Sequence, residues 1–175
     1  MKLYHGSATG GITTLVPRFS NQEDPHLYFT PDQALATIYS HSPVQGGYFP
    51  YFYDKEGHFC YEEYFPNALS IYKGLSGYVY TVETGDLPQR EKMPWVYLST
   101  EPVQVKECRF IPDIYEELLH LEEKGAVKLI RFDDLEESKL MGIYMMLRRN
   151  AESQDLKNRQ DEYAQFFKAH FPFLL

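Results

Sequence analysis

Alternating and helical patterns of apolar positions divide the chain into a strand-rich first two-thirds and a helix-rich end. Lys2 to Ser7 reads as a first strand, and Leu27 to Thr30 as a second. Between them, residues 8–26 read as a loop with apolar anchors at Ile12, Leu15 and Val16, broken by Gly10-Gly11 and Pro25. From Pro31 to Ser40, Ala34, Leu35, Ile38 and Tyr39 fall on one side of a helix. Gly77 to Glu83 is the clearest strand, dense in β-branched and aromatic residues. Trp95 to Ser99 and Val103 to Phe110 give two more, on either side of Pro102. A helix is expected from Pro112-Asp113 to Lys124, ended by Gly125. Val127 to Phe132 reads as a short edge strand. Leu135 to Arg148 leaves so little polar face that a well-buried helix is expected, and Ser153 to Ala169 gives a last, polar one.

The segment 43–66 fits neither period. It carries Gly46-Gly47 and nine tyrosines and phenylalanines, among them Tyr48, Tyr53, Phe59, Tyr61 and Phe65. Such a stretch is too aromatic for a disordered linker, and a hairpin or loop used for packing is expected, with a turn at Gly57. Asn67 to Lys73 reads as a short helix ended by Gly74. Strands run together with single helices between them and helices gather at the end, so the expected class is α+β.

At 175 residues one domain spanning 1–175 is expected. A net charge of −8 with no Lys/Arg-rich run argues against nucleic acid as a partner, because that binding depends on cations displacing counterions from phosphates. Cys60 and Cys108 are too few and too far apart for a disulfide framework or a zinc site, and His58 beside Cys60 does not make a metal pair. No apolar run approaches the ~20 residues of a membrane helix. Nothing near Met1 resembles a signal segment, so a cytoplasmic location is the expectation.

Two short motifs carry chemistry. His5-Gly6-Ser7 ends the first strand, and Tyr28-Phe29-Thr30 ends the second, with Tyr39 eleven residues beyond Tyr28 on the helix. Alone, each has a plain reading as a turn or as core aromatics. Together, in this order, they resemble the ADP-ribosyltransferase superfamily of the poly(ADP-ribose) polymerase and diphtheria-toxin type. The resemblance covers residues 1–110, with 111–175 a helix-rich extension packed on it. It implies a split, bent antiparallel β-sandwich with peripheral helices and a C-terminal helical appendage. It further implies NAD as substrate, held by His5, Gly6, Ser7, Tyr28, Thr30 and Tyr39, with no metal. His5 would bond a ribose hydroxyl, the Gly6 backbone the nicotinamide carboxamide, and Tyr28 and Tyr39 would sandwich the ring. On that placement, Gly6→Val is expected to abolish binding with the fold intact.

The family's catalytic glutamate, at the start of a later strand, has Pro94 in its place here, and Ala36 stands where a helix serine is common. Glu91 and Glu101 lie close by: Glu91 needs a shift of three residues to reach the spot, and Glu101 lies seven residues down the strand, on the wrong side of any simple register. With Glu101 as the carboxylate, His5, Tyr28 and Glu101 are the candidate catalytic set. Two functions follow: a mono-ADP-ribosyltransferase acting on a protein or small acceptor, and an inactive NAD- or ADP-ribose-binding module that lost the glutamate. The NAD-dependent RNA 2′-phosphotransferase shares the fold, but the acidic charge opposes it.

Overall fold

A computed structural model describes residues 1–20, 23–44 and 48–175. Gly46-Gly47 lies outside the described residues. In chain order the elements are β1 (Lys2–Ser7), β2 (Thr14–Leu15), β3 (Arg18–Ser20), β4 (Glu23–Phe29), α1 (Gln33–Tyr39), β5 (Tyr51–Tyr53) and β6 (Phe59–Glu62). A 3-10 turn at Ala68–Tyr72 leads to β7 (Gly77–Glu83), β8 (Gln89–Arg90), β9 (Met93–Ser99), β10 (Val103–Gln104) and β11 (Glu107–Ile111). Then come α2 (Ile114–Glu123), β12 (Lys128–Ile130), α3 (Glu137–Ser153) and α4 (Glu162–His170). The class is α+β, with several antiparallel sheets and none closed among the described residues.

The chain divides into two compact units, one of Met1–Ser42 with Tyr72–Val127, the other of Pro43–Ile71 with Lys128–Leu175. The first holds a three-stranded sheet, β1-β7-β11, and a four-stranded one, β3-β4-β9-β8, with β2 and β10 as a small pair. Leu3, Leu15, Leu27, Phe29, Tyr80 and Val82 form a core between these strands. Each such side chain, fully buried, stabilises by about 1.5–3 kcal/mol.

Local chemistry explains where the helices of this unit start. Asp32 caps α1, its Oδ1 accepting from the N–H groups of Ala34 (2.9 Å) and Leu35 (3.3 Å), and Thr30 Oγ1 accepts from the Asp32 N–H at 3.1 Å. Asp113 caps α2 in the same way, and its other oxygen accepts from the Gly74 N–H at 2.9 Å. Helix α1 packs on β1, β7 and α2.

The second unit pairs β5 with β6 as a hairpin and adds β12 parallel to β6 at the edge. Its core joins Tyr48, Tyr64 and Phe65 to Ile143, Leu147 and Ala151 of α3 and to Tyr163, Ala164 and Phe167 of α4. The aromatic segment is therefore packing material. His170 stacks on Phe65 with ring centroids 4.0 Å apart.

Four expectations need correction. Residues 8–26 are not one loop: β2, β3 and the start of β4 lie there, built by long-range pairing with β10 and within β3–β4 that short apolar anchors do not announce. The strand expected over 103–110 is two, β10 and β11, because β10 pairs with β2 while β11 pairs with β7. Helix α3 runs on to Ser153 and is not well buried: only Ile143, Leu147 and Ala151 are. The last helix begins at Glu162, where Asp161 Oδ1 accepts from the Ala164 N–H at 3.2 Å.

Candidate functional site

The site is best built from the meeting of β1 and β4. Their ladder is a single bridge in which Tyr4 N–H donates to the Thr30 carbonyl (2.8 Å) and Thr30 N–H to the Tyr4 carbonyl (3.0 Å). Alternate residues of a strand turn their amides to the same side. Gly6, two residues past Tyr4, therefore presents its N–H and C=O toward β4, where the ladder has no further rung. The Tyr28 carbonyl, on the facing edge of the other strand, is taken up by His5, whose Nδ1–H donates to it at 2.9 Å.

That bond fixes the histidine's chemistry. A carbonyl can only accept, so Nδ1 carries the proton and the neutral ring offers Nε2 as an acceptor. Burial pushes the His5 pKa below its ordinary value; the bond to Tyr28 opposes this and the Arg18 charge adds to it. A neutral Nε2 acceptor suits a hydroxyl donor. The His5 ring also lies edge-on to Phe29, centroids 5.9 Å apart.

His170 is held low by burial too. For a histidine whose pKa is lower when folded, the unfolded chain takes up protons first as pH falls. Stability is then fully present above the ordinary value of 6.5 and declines below it until the folded imidazoles protonate as well. We expect a lower urea midpoint at about pH 5 than at about pH 7.5, with the slope reduced in His170→Phe. A midpoint indifferent to pH in this range would contradict the burial of both rings.

Residues directly opposite in a pair share a face, so the Tyr4–Thr30 bridge puts Gly6 and Tyr28 on one side of the strands and His5 and Phe29 on the other. Helix α1 lies on the Gly6 side. A Cβ on Gly6 would stand 2.1 Å from the Ala36 carbonyl oxygen, 2.6 Å from Ser40 N and 2.8 Å from the Tyr39 carbonyl carbon. Gly77, on the neighbouring strand, is equally close to Ser40. The two glycines let the end of α1 press onto β1 and β7, which brings Tyr39 beside Gly6 with 45% of its surface exposed. This corrects the expected behaviour of Gly6→Val. The substitution meets helix backbone before any ligand, so it is not a clean test of binding.

The structure thus gathers His5, Gly6, Tyr28, Thr30 and Tyr39 at one place. Thr30 and Ser7 have turn duties there: Thr30 is buried with its Oγ1 on the Asp32 N–H, and Ser7 Oγ accepts from the Thr9 N–H at 3.1 Å. Sequence reasoning missed Arg90, whose guanidinium lies over the Tyr28 ring at 5.9 Å. It arrives through the β8–β9 hairpin, and nothing local marks it.

Pro94, at the position of the family's glutamate, and Glu101, the alternative carboxylate, lie in opposite directions along the chain from the β9 residue that faces Tyr28. Leu98 pairs with Tyr28, so Pro94 lies four residues to one side, about 13 Å along the strand, and Glu101 three residues to the other, two past the end of β9. Strands β1 and β9 both run antiparallel to β4, so Glu101 sits toward the end where β1 finishes at Ser7. It is exposed in a turn that Ser99 braces: Ser99 O–H donates to the Glu101 carbonyl (2.8 Å) and its oxygen accepts from the Glu101 N–H (3.2 Å). The Pro94 carbonyl accepts from Gln89 Nε2 at 2.7 Å.

Elsewhere, Asp54, Glu56 and His58 bring ligand-type atoms within 4.8 Å of one another at the β5–β6 turn. Asp54 Oδ1 already accepts from the backbone N–H groups of Glu56 (3.0 Å) and His58 (2.9 Å), which makes the aspartate the organiser of that turn. No helix among the described residues is long and apolar enough to cross a membrane. Comparison of the chain with models of protein families, with curated proteins and with solved structures gives no match.

Proposed function

We propose that the opening between β1 and β4 is a nicotinamide site and that the chain is an ADP-ribosyltransferase-like protein binding NAD. One observation carries the reading. The β1–β4 ladder is the Tyr4–Thr30 bridge alone, so the Gly6 N–H and C=O lie on the edge toward β4 with no ladder partner there, next to a neutral His5. A primary carboxamide has the donor and acceptor to complete such a pair of backbone groups. The finer architecture proposed with it is a split, bent antiparallel sandwich whose split is this opening. Tyr28 and Tyr39 supply aromatic surface on the Gly6 side, and His5 Nε2 accepts from a ribose hydroxyl.

In the transfer reaction the bond between ribose C1′ and the pyridinium nitrogen breaks. Its electron pair goes to nicotinamide, and an acceptor nucleophile takes the cation-like C1′ while losing its proton. A carboxylate near the ribose would stabilise that charge, and Glu101 is the residue proposed for it, in transfer of a single ADP-ribose. Pro94 favours the second reading, binding without turnover, because its side chain has no group for a 2′-hydroxyl or an acceptor.

Calorimetric titration with NAD and, separately, nicotinamide tests the site, and nicotinamide release from the same samples tests turnover. Tyr39→Ala is expected to weaken NAD binding roughly 3- to 10-fold with the protein still folded, because the ring, 45% exposed, contributes stacking. Absence of NAD binding by the folded wild-type protein overturns the proposal. Binding with release that is lost in Glu101→Gln favours the transferase, and binding with no release favours the module.

A further inference from the structure

Helix α3 carries an unpartnered apolar face in an unusual setting. Met141, Met145 and Met146 are 54%, 56% and 50% exposed, on the side opposite Ile143, Leu147 and Ala151. Gly142 lies among them, and a Cβ added there would meet nothing within 4 Å. A glycine in mid-helix costs roughly 0.5–1 kcal/mol against alanine, so nothing inside the helix favours it. What it permits is close approach by another backbone.

The charges around this face are distributed end to end. Asp133, Asp134, Glu136 and Glu137 stand at the start of α3, and exposed Arg148 and Arg149 lie about 16 Å along it. Lys139, between them, is occupied with Glu62. A helix with an acidic start, an apolar middle and a basic late turn is complementary to itself when inverted. We propose that the occupant of this face is a second copy of the chain, its α3 antiparallel to the first across a two-fold axis near Gly142.

In that arrangement Glu136 and Glu137 of one copy lie alongside Arg148 and Arg149 of the other, twice over, as a two-fold contact requires. The methionines meet at the centre, where their flexible thioethers fill an irregular gap. The opposed helix dipoles add to the attraction. Glu152 comes near Asp133 and Asp134 of the other copy, and this repulsion, with the small patch, makes the dimer concentration-dependent and weak.

The experiment is sedimentation velocity on the full chain over a dilution series at low and high salt. The mass is expected to rise from 20.5 kDa toward twice that value with concentration, less so in salt. Met145→Glu is expected to weaken association roughly tenfold or more, because it buries an unpaired charge. Arg148→Glu is expected to weaken it as well, and adding Glu137→Arg to Arg148→Glu restores it. Circular dichroism confirms that these surface variants are folded. A monomer at every concentration overturns the proposal. So does a dimer unaffected by Met145→Glu, or a double variant no better than Arg148→Glu alone.

Discussion

Gly6→Ala is expected to cost about 3 kcal/mol or more of folding stability, measured as a fall in the urea midpoint with an unchanged slope. The single added carbon would lie 2.1 to 2.8 Å from three atoms of the α1 backbone, and backbone at the end of a buried helix cannot swing aside like a side-chain tip. Either α1 lifts from β1 or the strand shifts, and both open the buried cluster of Ala34, Leu35 and Ile38. Gly85→Ala is the control, since a Cβ there has nothing within 4 Å, and it should change stability by less than about 1 kcal/mol. Equal midpoints for Gly6→Ala and wild type would mean that α1 is not seated on β1 as described. The result also governs how ligand data are read, because loss of binding in a Gly6 variant would report a displaced helix as readily as a blocked carboxamide.

Glu63→Ala should cost a similar amount, about 3–5 kcal/mol, in the second unit. Glu63 is 5% exposed, and its carboxylate accepts from the Leu69 N–H at 2.9 Å and the Phe132 N–H at 3.1 Å. Its own N–H donates to the Ile130 carbonyl at 3.0 Å. One side chain therefore fixes the entry to the 3-10 turn and the exit from β12, segments 63 residues apart when counted from Leu69 to Phe132. Removing it strands two backbone donors away from water. Glu63→Gln should recover only part of the loss, because its amide nitrogen can face one of those donors but cannot accept from it. Amide exchange at Leu69 and Phe132 gives the local readout: unchanged protection at both in Glu63→Ala would show that the carboxylate is not their partner.

How much of this was legible beforehand depends on the range of the forces involved. Gly77–Glu83 appears as a strand with the bounds its composition suggests, since β-branched and aromatic residues fit a pleated, buried surface whatever their partners. Helices α1 and α2 start where Asp32 and Asp113 accept the first free N–H groups, a bond within four residues of chain. The order His5-Gly6-Ser7, Tyr28 and Tyr39 was visible as a motif; the fold puts the His5 ring on the Tyr28 carbonyl and Gly6 against the end of α1 at Tyr39. What the linear pattern could not hold was pairing. That β1 and β4 share one rung, with the Gly6 amide beyond it on the same edge, depends on where Tyr4 and Thr30, 26 residues apart, meet. The same is true of Arg90 over Tyr28, of Glu63 between two distant backbone groups, and of Pro94 near the start of β9 with Glu101 in the turn beyond its end. Apolar content misled at α3, where the methionines count as core by composition yet stand in solvent. Hydrophobicity states what a side chain gains by burial, and only the tertiary fold decides whether a neighbour is there to bury it.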